Sequence, residues 1–406
     1  MRNMKRFSSL FLASALGLTL LAGCGSASDD STAAQSEEAE EVSVSETEEA
    51  AENETEAEET ADEEDAEETV TVEDLEPDED GNITITDMAG REVTFKANPT
   101  IWNSSPTAEG WLCAIVPDQI IGWAAEFEDE ALAYYPESVR DLETIGGNYG
   151  DSTANEENIL AVSPDVIINT YDCSEDGLAA TVASADETAE EYGIPVICLS
   201  RDIADSAECA ANIGLWFGAA QRGYDVSVYL QGLLDQVTEA AEAAAAADDV
   251  PTYYYAEQTD GLFTEAVGSM HAAVFEFCGL ENCVGDDISM SGMGGLEEVT
   301  LEQVVQWDPE YIFVWLQPAY QDITTSDEWS GITAVQNGDV YQIPLMPQNW
   351  FDRSPNSLRV LGCLYCASIV YSDYVSYDLT ETISEYFSYM YGVDLTEEQL
   401  AAIYCD

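Results

Sequence analysis

Apolar positions along the chain fall into a pattern that occurs twice. From Glu157 the sequence reads Glu-Asn-Ile-Leu-Ala-Val-Ser-Pro164-Asp165-Val-Ile-Ile-Asn169, and from Glu302 it reads Glu-Gln-Val-Val-Gln-Trp-Asp-Pro309-Glu310-Tyr-Ile-Phe-Val314. Each copy is a helical turn with apolar spacing, a proline that ends it, and an apolar run of strand length. Between the copies, Val226, Val228, Leu230, Leu233, Leu234 and Val237 predict the apolar face of a helix spanning about Tyr224 to Ala247. Ala240 to Ala247 adds the residue with the highest helix propensity, and Pro251 ends the run by disfavouring helix before it. At 1.5 Å per residue the helix would be roughly 35 Å long, a spine between two copies of one α/β unit.

Shorter patterns fill in the rest. Ile83–Phe95 alternates on both sides of Gly90, which predicts a hairpin, and a strand at Thr100–Asn103 is followed by a helix after Glu109. A helix over Glu175–Tyr192, a strand at Pro195–Leu199 and a helix over Asp205–Ala219 lead up to the spine. Beyond it, strands at Thr252–Tyr255 and Val340–Pro344 alternate with a helix after His271 and further helices at the C-terminal end. Strands that alternate with helices give mostly parallel sheets. The expected fold is α/β, two lobes with mostly parallel central sheets bridged by a single long helix. The lobes are expected at 81–222 and 249–406, with the spine at 223–248.

The first 80 residues are of another kind. Arg2, Lys5 and Arg6 precede an apolar run from Phe7 to Leu21, too short to span a bilayer, so residues 1–23 read as a secretory signal. The run ends in Leu21-Ala22-Gly23-Cys24, similar to a bacterial lipobox, which makes Cys24 the expected lipidation site and a lipid anchor the expected membrane contact. Residues 25–80 carry 26 acids and no Lys or Arg. Such a segment buries too little to offset its ordering entropy, and 24–80 reads as a lipidated cysteine followed by a disordered acidic tether.

Charge then narrows the function. Residues 81–406 hold 56 acidic and seven basic residues. That excludes nucleic acid as a partner, because phosphate neutralisation takes clustered Lys and Arg. Of ten cysteines, Cys278 and Cys283 flank a short loop that a disulfide would close, and the remainder read as small buried apolar residues. No Cys/His cluster of metal-ligand spacing is present, so neither a bare metal site nor an intrinsic cofactor is expected.

The hairpin Asp87-Met-Ala-Gly90-Arg91-Glu-Val, the two proline boxes, the spine and the stretch Trp350-Phe-Asp-Arg353-Ser-Pro355-Asn-Ser-Leu-Arg359-Val-Leu-Gly362 come in an order that resembles the iron-chelate and cobalamin family of ABC-transporter substrate-binding proteins. The resemblance covers essentially all of 81–406. It implies a monomeric, non-catalytic carrier that takes a metal chelate, a ferric siderophore foremost, in the interlobe cleft and delivers it to a permease and its ATPase. It also implies docking through one surface glutamate per lobe. By position these are Glu157 and Glu302, each seven residues before its box proline.

Ligand contacts are sought at the strand ends that face the cleft. In the first lobe the candidates are Asn103, Ser104, Ser105, Trp123, Tyr149 and Tyr171; in the second they are Tyr255, His271, Trp315, Trp350 and Arg353. Aromatic faces suit a chelate, and an arginine suits an anionic one. The competing reading is a tethered extracellular enzyme built on carboxylates, or a surface adhesion module. Against the enzyme stands the lack of a nucleophile elbow, phosphate loop or zinc helix.

Overall fold

The computed structural model describes residues 70–149, 152–153, 159, 161–289, 295–353 and 356–404. The expectations for the signal segment, Cys24, the tether up to residue 69 and Glu157 lie outside them. The chain opens with β1 (Asn82–Thr86) and β2 (Glu92–Lys96), paired antiparallel with Ile83 opposite Phe95 and Ile85 opposite Val93. These four side chains are buried, as the alternation requires. Gly90 takes φ +76° in the turn. Asp87 Oδ1 accepts from the backbone N–H of Ala89 and of Arg91, and its Oδ2 accepts from that of Cys198, which fastens the hairpin to the first sheet.

That sheet holds β3 (Ile101–Asn103), β6 (Val166–Tyr171) and β7 (Val196–Ser200), parallel and in the order β3-β6-β7. A small antiparallel ribbon, β4 (Asn148–Tyr149) with β5 (Ser152–Thr153), stands beside it in sequence. The second sheet holds β8 (Thr252–Ala256), β10 (Glu281–Asn282), β12 (Tyr311–Val314) and β13 (Val340–Gln342), all parallel in the order β10-β8-β12-β13. A second ribbon pairs β9 (Phe263–Glu265) with β11 (Leu296–Glu298). Tyr253 and Tyr255 point into the large core that runs through both lobes, whereas Tyr254 points into a separate core behind the second sheet.

The internal repeat extends from pattern to hydrogen bond. Ser163 and Asp308, each preceding its box proline, both take a left-handed backbone, with φ of 50° and 47°. The acid after each proline then clasps the threonine that leads the neighbouring strand. Asp165 Oδ2 accepts from Thr100 N at 3.0 Å and Thr100 Oγ1 at 2.8 Å, and Glu310 Oε2 accepts from Thr252 N at 2.9 Å and Thr252 Oγ1 at 3.3 Å. In both lobes one carboxylate therefore fixes where the box enters its sheet.

The spine runs Ala220–Ala246, four residues earlier at its start than its apolar spacing predicts. Val226, Leu230, Leu233, Leu234 and Val237 are buried along it, but Val228 is 54 % exposed and does not belong to that face. It lies two residues from both Val226 and Leu230, so the 3.6-residue period carries it round the helix to solvent. Ala219 has no side chain to cap the helix. The cap comes from Asp74, whose Oδ1 accepts from Ala220 N at 2.7 Å. The acidic stretch expected to stay disordered through Asp80 is thus bound to the folded body from Val70 onward. The preceding helix, Ser206–Trp216, crosses the spine backbone to backbone: a Cβ on Gly214 would come within 2.5 Å of Gly223 Cα.

The Cys278–Cys283 bridge does not form, and both thiols are free. Cys278 packs into the large core with its Sγ 3.5 Å from Cys363 O, while Cys283 packs against the core behind the second sheet. Among the described residues no helix is long and apolar enough to cross a membrane.

Candidate functional site

Parallel strands end on one edge of their sheet, and here that edge of the first sheet meets the second lobe across a cleft. From the first lobe, Tyr171 closes β6 and Arg201 follows β7; from the second, the turn Gly268–Met270 and Arg359 approach them. Together they line a cavity of about 780 Å³. Arg359 bridges the lobes: its Nη1 donates to Arg201 O at 3.0 Å and its Nη2 to Met270 O at 3.4 Å. Arg201 is paired with Asp172 at 2.9 Å.

The rest of the first wall is neutral and hydroxyl-rich. Asn103 and Ser104 end β3 and are buried, and Ser104 N donates to Ile168 O at 3.1 Å. Ser105 Oγ donates to Asn169 Oδ1 at 2.6 Å, with Thr107 reaching the same oxygen at 3.3 Å. Behind them Glu109 is 1 % exposed, the acid at the start of helix Glu109–Ile115. Burial pushes its carboxyl up to about 8, opposed in part by the N–H of Ala124 and the amide of Gln348, so it is largely protonated at neutral pH. Gln348 follows the second sheet, and its donation to Glu109 Oε2 at 3.1 Å is another bond across the cleft.

The second wall is charged. Arg353 lies over the Trp315 ring at 4.8 Å and is held from behind by three buried carboxylates. Its Nη2 pairs with Glu257 and sits 3.9 Å from Glu265, and its Nε is 3.4 Å from Asp352. Burial, then Asp352 nearby, pushes Glu257 well above the ordinary carboxylate range; burial also raises Asp352, with Arg353 opposing. Burial by itself would lower the Arg353 pKa, but Asp352 and Glu257 outweigh it and hold the guanidinium charged. His271 sits 3.8 Å from Asp352, yet burial and Arg353 lower its pKa to about 4, so it is neutral at pH 7. Ser269, on the cavity lining, donates to Glu265 at 2.6 Å and thereby sets this cluster directly behind the cavity wall.

Of the expected contacts, the structure places Tyr171 on the cavity lining, Asn103, Ser104 and Ser105 buried at the end of β3 beside β6, and His271, Trp315 and Arg353 in the charged cluster behind Ser269. It places three other expected contacts in packed interior. Trp123 is 2 % exposed among Phe127 and Tyr135, with Nε1 donating to Val139 O. Trp350 has no exposed surface; its Nε1 donates to Met346 O at 2.9 Å, and Gly362 packs so closely beneath it that a Cβ there would meet Trp350 O. Tyr255 is buried against Phe275 beside Asp352. Tyr149 ends β4, and its side chain is outside the described residues. Glu302 is exposed in the first turn of helix Leu301–Trp307, which a Thr300–Gln303 capping box begins. Among the charged residues of the site that escaped the sequence reading are Glu109, Asp172, Arg201, Glu257, Glu265 and Arg359. Three of them had a usable signal, since Asp172, Arg201 and Glu257 each directly follow a strand end.

Known proteins share this architecture. A family profile described as periplasmic binding protein matches residues 116–345, more than half of the chain. A vitamin B12-binding protein of Vibrio campbellii is 23 % identical over 267 residues, 63 % of this chain and 89 % of that protein. The molybdate-binding protein MolA of Haemophilus influenzae is 23 % identical over 347 residues, 78 % of this chain and 93 % of that one. Among solved structures, an ABC transporter solute binding protein from Sulfurospirillum deleyianum superposes with a TM-score of 0.70 at 26 % identity, over 80 % of this chain and 99 % of its own. With two parallel-sheet lobes, one spine helix and a cavity between them, this chain belongs to the periplasmic binding protein family, the solute-binding proteins of ABC transporters.

Proposed function

We propose that the protein is the membrane-tethered capture component of an ABC importer, holding a metal chelate in the interlobe cleft, with a ferric siderophore as the leading cargo. The observation that carries this reading is the cavity of about 780 Å³ with residues of both lobes in its lining. Small-molecule sites span roughly 300–1,000 Å³, so the space suits a solute of chelate size and exceeds what a single ion needs. Tyr171 offers an aromatic face and a hydroxyl in the lining, and the Arg353–Trp315 pair stands behind Ser269 of that lining. Lipidation at Cys24 and the acidic tether would keep the carrier at the membrane. Docking on the permease would use exposed Glu302 and its counterpart Glu157.

Titration of the full-length protein with ferric hydroxamate and catecholate siderophores, cobalamin and molybdate, followed by tryptophan emission, tests the reading. Saturable one-to-one quenching by a chelate is the expected result. Turnover of a solute into product, or silence from every chelate, would overturn it.

A further inference from the structure

Two of the three arginines at this cleft are already paired with acids of the protein. Arg201 is paired with Asp172 at 2.9 Å, Arg353 is held by Glu257 and Asp352, and Arg359 donates to two backbone carbonyls. Lys96 is spent elsewhere, on Asp165 at 2.7 Å. The cavity lining itself carries Asp172, Asp202, Asp205 and Glu276 against Arg201 and Arg359, an excess of carboxylates. Directly behind the lining stand Glu257, Glu265 and Asp352 around a single guanidinium. One donor is left over: Arg359 Nε is buried and has no hydrogen-bond partner among the described residues.

Given the reading of this cavity as the solute site, we infer that it selects solutes of zero or positive net charge and rejects oxyanions and polyanionic chelates. An anion entering the cavity meets surplus carboxylates, with Arg359 the one lining guanidinium that has no acid partner, and binding it through Arg201 or Arg353 would strip a carboxylate of its partner. A neutral solute costs nothing of the kind. A solute with a pendant cation gains in addition from the acidic lining, where the low dielectric strengthens attraction. The caged arginines are then donors of low net charge that serve specificity by what they exclude. The molybdate carried by the Haemophilus influenzae relative is of the class this cavity should refuse.

Four probes resolve the inference on the full-length protein by calorimetry. They are ferrioxamine B, cationic through its pendant ammonium; its N-acetylated form, neutral and otherwise the same; the trianionic ferric tris-catecholate enterobactin; and molybdate. The expected order is cationic tighter than neutral by about tenfold, with both anions weaker than the neutral chelate by about a hundredfold or more. Asp172→Asn, which releases Arg201 and removes one lining charge, should narrow the cationic preference and raise the affinity for enterobactin. Anions that bind as tightly as ferrioxamine B would overturn the charge rule while leaving the chelate reading intact. So would an Asp172→Asn variant with unchanged selectivity. Binding of none of the four would overturn both.

Discussion

On the first lobe's wall of the cleft, Ser104, Ser105, Thr107 and Asn169 offer hydroxyl and amide groups, and the one acid behind them, Glu109, is held protonated by burial. On the second lobe's wall, Glu257, Glu265 and Asp352 surround Arg353. The supporting architecture is the same on both sides, down to the carboxylates of Asp165 and Glu310 clasping the first threonine of the neighbouring strand. What differs is what faces each buried carboxyl: Glu109 meets only neutral donors, whereas Glu257, Glu265 and Asp352 stand around a guanidinium. A duplicated scaffold thus leaves its strand ends free to carry different chemistry.

The largest effect should come from breaking the ion-paired wall. Arg353→Met leaves three buried carboxylates without their cation. Denaturant unfolding at pH 7 should show a loss of about 3 kcal/mol, since removing one partner strands the others. Adding Glu257→Gln should recover part of it. An Arg353→Met protein as stable as the parent would mean that the carboxylates are solvated rather than caged.

The protonated carboxyl of Glu109 is probed by pH. Glu109 binds its proton more tightly folded than unfolded, so its contribution to stability is complete below the ordinary carboxylate range and is lost as pH rises through about 8. Over that window the parent should lose stability by as much as about 1.4 kcal/mol per pH unit from this one group. Glu109→Gln should flatten that slope and leave the variant the more stable of the two at pH 8. A slope unchanged by the substitution would show that Glu109 is ionised in the folded state.

The smallest effect belongs to a position outside the cleft. Asp74→Ala removes the cap from the spine helix and should cost about 1 kcal/mol in thermal or denaturant unfolding, with chelate affinity unchanged. A change in affinity at this position would mean that the tether's attachment to the spine is coupled to the cleft.

Much of the scaffold was legible in the sequence because it is written in local period. The proline boxes, the spine and the hairpin turn at Gly90 each follow from residues near one another in the chain. The start of the spine was not legible, because its cap comes from Asp74, 146 residues away from Ala220. The charged wall was hidden for a similar reason. Among 56 acids in residues 81–406 nothing local marks Glu257, Glu265 and Asp352 as the three that converge on Arg353. Tryptophan misled in the other direction: Trp123 and Trp350 lie near strand ends yet serve packing, with Trp350 O seated on Gly362.

The most direct test of a shared site is amide hydrogen exchange of the full-length protein with and without saturating ferrioxamine B. If the solute is held between the two walls, protection should rise in both lobes at once, around Ser104–Thr107 and Tyr171–Asp172 on one side and Gly268–His271 and Trp315 on the other. Protection confined to one lobe, or absent from both while the chelate is bound, would contradict the account.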